Sequence, residues 1–147
     1  MKRIVKLIGL LSTMAIIFYF SSQPALDSSN TSGGFMKLFY SLYSIFGSLS
    51  LNDYIEKYGQ IIRKLAHFSE FAVLGFFSYI NIKEYYQSNI TYLSILMCVV
   101  YAITDEFHQL FVAGRYCAVK DMLIDSLGSI TMILICYFVS SKCRKKS

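Results

Sequence analysis

The sequence predicts an all-α membrane protein: a four-helix transmembrane bundle with one additional amphipathic helix at the membrane interface. Three observations carry this expectation. The 147 residues are 55% hydrophobic and only 16% charged, with a mean hydropathy of +0.49, too apolar to clothe a water-soluble domain of this length. The apolar residues gather in four runs long enough to cross a bilayer. The basic residues gather elsewhere, since seven of the 14 Lys and Arg are Lys2, Arg3, Lys6, Lys142, Arg144, Lys145 and Lys146. Residues 7–141 hold seven basic and nine acidic side chains, so the +5 of the whole chain conceals a body of net −2. That body lacks the basic surface that nucleic-acid binding requires. The wealth of apolar and aromatic side chains also excludes a disordered chain.

The first span is placed at residues 4–20, with Lys6 snorkelling to the interface. The second, 63–82, is interrupted in its apolar part only by the ionisable residues His67 and Glu70. The third, 90–112, is uncharged as far as Thr104, and the fourth, 121–141, carries Asp125 in its first turns. At ~1.5 Å per helical residue each covers most of a ~30 Å hydrocarbon core. An even number of spans puts both termini on one side, and both are rich in Lys and Arg, which predicts a multi-pass protein of the cell membrane with cytoplasmic ends. The 83–89 connection is then cytoplasmic, while 21–62 and 113–121 face outward. A cleaved signal peptide is the competing reading of residues 1–20, but residues 19–24 do not offer the small-x-small cleavage pattern. Cleavage would leave the remaining topology unchanged.

The first outward connection opens with turn-forming residues and becomes apolar from 35 to 51. Phe35, Leu38, Leu42, Ile45 and Leu49 recur at steps of three and four, opposite a stripe of Lys37, Ser41, Ser44 and Ser48. This pattern predicts the interfacial helix, which needs no specific ligand. Asn52 and Asp53, with Glu56 three residues after Asp53, predict a helix start. Tyr54, Ile55, Tyr58, Ile61, Ile62 and Leu65 carry that helix into the second span without a break.

The polar residues then converge. On this topology the outward end collects Ser21, Ser22 and Gln23 from the first span. The second adds Arg63, Lys64, His67 and Glu70, and the third adds Asp105, Glu106, His108 and Gln109. Arg115 and Lys120 follow in the connection, with Asp121 and Asp125 in the fourth span. His67 and Glu70 share a helix face, as do Asp121 and Asp125. Glu70 lies ~9 Å deeper than Lys64. An ionised group at mid-membrane costs ~2.5–3.5 kcal/mol, so Glu70 must pair, with Arg63, Lys64 or Arg115, or stay protonated. An ion-pair network that merely fixes helix register would account for such charges. Intramembrane ionisable residues are functional by default, however. The expected ligand-binding set is Lys64, His67, Glu106, Gln109, Arg115, Asp121 and Asp125.

Two functions fit this pocket. It binds an anionic lipid or cell-surface glycopolymer, with Arg115 suited to bidentate recognition of phosphate or carboxylate. Alternatively it hydrolyses or transfers a lipid-linked phosphate, with His67, Glu70, Asp105 and Glu106 as the candidate catalytic proton carriers. The chain contains no G-x-S-x-G, H-E-x-x-H or G-x-x-x-x-G-K-[ST] motif. A metal held by His67, Glu70, Asp105 and His108 has some precedent in helical bundles, but two short pairs are weak grounds, and neither a metal nor a cofactor is expected. Cys98 and Cys136 fall in spans, Cys117 outside and Cys143 near the carboxyl end, which supports no disulfide framework.

The run Asp105, Glu106, Gln109, Phe111, Arg115, Asp121, Asp125 and Gly128 resembles the signature of the VanZ-like family, named for a teicoplanin-resistance protein. Lys64, His67 and Phe68 are similar to its second-span motif, and Ser21, Ser22, Gln23 and Pro24 to the polar turn closing its first span. The resemblance covers almost the whole chain in order and topology. It departs at Asp125, where the family's pattern leads one to expect Asn, and this adds a charge to the pocket. The resemblance implies an integral protein of the bacterial cell envelope, linked in some members to lower glycopeptide susceptibility. It does not decide between binder and enzyme.

Overall fold

The computed structural model describes residues 2–23, 33–45 and 47–144. It contains five helices: α1 (Arg3–Ser21), α2 (Gly33–Tyr43), α3 (Leu51–Tyr85), α4 (Ile90–Gln109) and α5 (Val119–Arg144). Four of them, all but α2, are long and apolar enough to cross a membrane. Their surfaces agree with that role, because the chain is apolar outside and polar inside. Ile4, Leu11, Ile16, Val100, Ile103, Leu127 and Ile135 are among the large side chains left exposed. Thr13, Ser21, Ser78, Ser94, Asp105, Glu106, Gln109, Asp125 and Ser129 are buried. In water this would be inside out; in lipid it is the expected arrangement, since small and polar residues let helices approach and bond. The protein is therefore a multi-pass membrane protein built as a helical bundle.

The helices of the bundle turn a regularly spaced stripe inward. In α4 the stripe is Ser94, Cys98, Ala102, Asp105 and Gln109, at steps of three and four. In α1 it is Leu10, Thr13, Ile17 and Ser21. The core between them holds Leu10, Ile17, Phe71, Leu74, Tyr79, Cys98, Ala102 and Ile133. Helix α3 is the hub, packed against every other helix and most extensively against α5. Two glycines make that crossing close. A Cβ on Gly128 would lie 2.3 Å from the Phe68 carbonyl oxygen, and one on Gly75 would lie 2.5 Å from that of Ser129. Both obstacles are backbone, so neither can swing aside.

The two ends of the bundle differ. At the end carrying the termini, Lys6 pairs with Glu84, and the Arg3 Nε donates to the same carboxylate at 2.7 Å. Asn81 donates to the Lys6 carbonyl at 2.9 Å, and Lys83 to the Ser140 hydroxyl at 3.1 Å. Glu84 was assigned no role from the sequence. At the opposite end α3 continues beyond the bundle. Its 35 residues make a helix of ~52 Å, well over the hydrocarbon thickness.

Several boundaries differ from expectation. Helix α3 starts at Leu51 with Ser50 as N-cap, its hydroxyl accepting from the Asp53 N–H at 3.3 Å, rather than at Asn52 and Asp53. Asp53 is thus the third helical residue, and its carboxylate accepts from the cap hydroxyl at 2.6 Å. Helix α4 ends at Gln109 and not at 112. The N–H groups of Leu110, Phe111 and Val112 each bond three residues back, and Gly114 reverses the chain with φ 76°. Tight terminal turns of this kind satisfy carbonyls that continued helix would otherwise take. Helix α5 begins two residues earlier than expected and runs three further.

Helix α2 covers 33–43, only part of the expected 35–51. Its contact with α3 is made by tyrosines, not by the leucine stripe. Tyr40 and Tyr43 pack with Leu49 and Tyr58 around Tyr54 and Ile62 of α3, and Tyr43 and Tyr54 have ring centroids 4.9 Å apart. Leu38, Leu42 and Ile45 stay exposed, and the Phe35 side chain and the turn residues 24–32 lie outside what is described. In α3 itself Tyr54 and Ile62 are buried while Ile55, Ile61 and Leu65 face outward. Gly128→Ala should destabilise the bundle by ~1–3 kcal/mol, read as a lower Tm in detergent, whereas lipid-facing Leu127→Ala should change it far less.

Candidate functional site

The cleft at the end away from the termini is small, about 70 Å³, and lies between α3, the start of α5 and the 110–118 connection. It is lined by Arg63, Lys64, His67, Glu106, Gln109, Gly114, Arg115, Tyr116, Asp121, Ile124 and Asp125. All seven residues expected in the ligand-binding set are among them. Their convergence follows from helix phase. Arg63 and His67 are one turn apart on α3, Glu106 and Gln109 on α4, and Asp121 and Asp125 on α5.

The pairing differs from the anticipated one. Lys64 Nζ bonds Asp121 Oδ1 at 2.8 Å and so joins α3 to α5, leaving Glu70 without that partner. Both side chains are about one-third exposed, so the pair contributes at most ~1 kcal/mol and chiefly fixes register. The ionisable group that approaches Glu70 is His67, with Nδ1 3.8 Å from Oε2, too long for a hydrogen bond. Neither of those atoms has a hydrogen-bond partner among the described residues, and both are closed off from the surface.

Two of the expected site residues work on the backbone. Arg115 Nε donates to the Gln23 carbonyl at 2.9 Å and Nη2 to the Phe20 carbonyl at 3.2 Å, closing the carboxyl end of α1. A guanidinium there meets the negative end of the helix dipole. Glu106 Oε2 accepts from the Ala118 N–H at 2.9 Å and ties α4 to the residue before α5. Arg115 also stands near Arg63. Burial first, and then the Arg63 charge, lower the Arg115 pKa from its ordinary value, while Asp105, Glu106 and Glu70 oppose the shift.

Asp105 and Glu70 lie behind the cleft rather than on its wall. Asp105 Oδ2 accepts from the Ser21 hydroxyl at 2.5 Å and from Gln109 Nε2 at 3.3 Å, and Gln109 also donates to Ser21 at 3.0 Å. This triangle locks α1 to α4 in the bundle interior, where Asp105 is 3% exposed. One oxygen each of Asp105 and Asp125 remains unpartnered among the described residues. His108 does not join the site; its ring packs on Phe18 with centroids 4.5 Å apart. Among the described residues no three His, Cys, Asp or Glu side chains are grouped so as to hold a metal ion. Cys98, Cys117 and Cys136 are free thiols.

Arg63 was expected at the outward end and as a partner for Glu70 but not in the ligand-binding set, yet it lines the cleft. Its spacing of four from His67 was the available signal. Gly114 and Tyr116 were missed because a reversing connection has no periodicity to read.

The arrangement is matched by a family model: the model described as VanZ/LLP1 aligns with residues 6–140. The chain belongs to the VanZ/LLP1 family. The match reaches into all four membrane-crossing helices and takes in every cleft residue. No curated protein and no solved structure matches the chain. In this VanZ/LLP1 protein the family-like residues divide between two roles. Ser21, Asp105 and Gly128 hold helices together, His67 and Asp125 border the cleft, and Lys64, Gln109, Arg115 and Asp121 do both.

Glu106→Ala should leave the Ala118 N–H without its acceptor, costing ~1–3 kcal/mol and speeding hydrogen exchange at that amide. Glu106→Gln, which keeps an acceptor oxygen, should preserve most of the protection.

Proposed function

We propose that this protein binds an anionic group of the cell envelope, a lipid headgroup or surface glycopolymer, in the cleft between α3 and α5, which faces outward. The observation that carries the reading is the crowding of Arg63 and Arg115 in one half-closed cleft. Two guanidinium groups near one another repel, and after burial the Arg63 charge is the next cause of the lowered Arg115 pKa. An anion between them turns repulsion into two charge-assisted hydrogen bonds. Arg63 is the cation with capacity to spare: it forms no hydrogen bond or ion pair with any described residue. Lys64 is committed to Asp121. The cleft volume suits one phosphate or carboxylate with a few waters, not a whole sugar. The rest of such a ligand lies outside, against exposed Tyr116.

Outward orientation rests on the basic residues near both termini, which favour the cytoplasmic side. A ligand in the envelope also accounts for the glycopeptide-susceptibility link that the VanZ-like resemblance implies.

One observation favours a second reading, turnover of a lipid-linked phosphate. His67 Nδ1 and Glu70 Oε2 stand 3.8 Å apart, each closed off without a hydrogen-bond partner among the described residues, and His67 reaches the cleft. A histidine beside a carboxylate and opening on a phosphate site has the form of a proton carrier.

With the full chain in nanodiscs of zwitterionic lipid, a soluble polyglycerol phosphate oligomer should bind. Arg63→Gln should weaken that binding about tenfold or more at unchanged Tm. Equal affinity of the wild type and Arg63→Gln would remove Arg63 from the site. If turnover occurs, release of phosphate from a polyprenyl phosphate substrate should vanish in His67→Ala and in Glu70→Gln. Full activity in both would dismiss the catalytic reading.

A further inference from the structure

A second concavity lies at the opposite end of the bundle, where α4 begins beside the last turns of α3 and α5. Its volume is about 490 Å³, larger than the cleft already described and unrelated to it. From these residues we infer a phosphate-binding site on the side of the membrane that carries the termini, suited to the phosphodiester of an anionic lipid.

The first turn of α4 supplies the donors. Leu93 N bonds Asn89 O, the first bond of the helix, so the N–H groups of Ile90, Thr91 and Tyr92 have no helical acceptor. Asn89, at φ 56°, places no side-chain hydrogen bond on them. Helix α4 is 20 residues long, so its dipole adds its positive end to these donors. All three residues border the concavity.

An independent observation comes from α3. Tyr79 is 4% exposed and lines the same concavity, yet its hydroxyl has no hydrogen-bond partner among the described residues. A buried phenol ordinarily finds a partner. Here the open space in front of α4 is where an acceptor would sit. One turn further along α3, Lys83 donates to the Ser140 hydroxyl on the concavity's far wall, bringing a cation to its rim. These groups set donors around a hollow whose lining is otherwise mostly apolar.

Its height in the membrane fits a lipid headgroup. Exposed Tyr85, Tyr86 and Tyr92 surround this end, as aromatic side chains do at the headgroup level. Free phosphate would satisfy the same donors, and the experiment separates the two sources.

The full chain, purified in neutral detergent, is titrated with phosphatidylglycerol, phosphatidylcholine or sodium phosphate while Tm is followed. Phosphatidylglycerol should raise Tm with saturation, and phosphatidylcholine should do so much less. Tyr79→Phe, which keeps the ring, and Lys83→Gln, on an exposed residue, should each weaken the phosphatidylglycerol response about tenfold. Arg63→Gln, at the other end, should leave it unchanged, which separates this site from the cleft. A response to sodium phosphate alone would support the site with free phosphate as its occupant. Equal responses to the two lipids with none to phosphate, or unaltered responses in both Tyr79→Phe and Lys83→Gln, would overturn the proposal.

Discussion

The close crossing of α3 and α5 is the constraint on which the rest of the molecule depends. Gly75 and Gly128 face backbone, not side chains, so the two helices touch at main-chain distance over more than a turn. That approach sets the separation above it. Lys64 bonds Asp121 across the same two helices, and Asp125 is buried one turn before Gly128. With bulkier residues at those two positions the helices would part. The cleft would then lose its floor before it lost any residue that lines it. In lipid, where burying apolar surface gains little between helices, such close packing is a principal source of cohesion.

Around that crossing, α1 is clipped at both ends. Lys6 and the Asn81 amide hold its start, and Asp105 and Arg115 hold its finish. The outcome is a bundle whose interior polar groups do two kinds of work. Some are satisfied and join helices, as in the Ser21, Asp105 and Gln109 triangle. Others are left incomplete beside the cleft, as with His67, Glu70 and Asp125. Incomplete buried groups are costly, and these lie at the end of the bundle that carries the cleft. Arg115 shows that the roles overlap, since it closes α1 and borders the cleft with the same guanidinium.

Much of this was legible in the sequence, for identifiable reasons. Four apolar runs read directly as helices because a bilayer imposes a length. The cleft residues Lys64, His67, Glu106, Gln109, Arg115, Asp121 and Asp125 could be grouped because topology brings three helix ends together. What failed was choice of partner. Lys64 lay in sequence near Glu70 yet bonds Asp121 across the bundle, and no spacing along one chain encodes a distance between two helices. The same holds for Arg115, whose acceptors are backbone carbonyls that every residue possesses. Helix α2 misled because leucines at helical spacing mark an apolar face without saying what it touches. The neighbour it rests against is a tyrosine cluster. Boundaries slipped at Ser50 and Gln109 because several adjacent polar residues could have served as caps.

The functional account stands on the cleft facing the outside of the cell. Native cysteines report this directly, since Cys117 is half-buried in the connection beside the cleft and Cys143 lies near the carboxyl end. Intact cells would be treated with a membrane-impermeant maleimide, with Cys117→Ser and Cys143→Ser identifying the labelled site. The account predicts that Cys117 labels in intact cells and that Cys143 labels only after permeabilisation. Labelling of Cys143 in intact cells, with Cys117 reached only after permeabilisation, would contradict it.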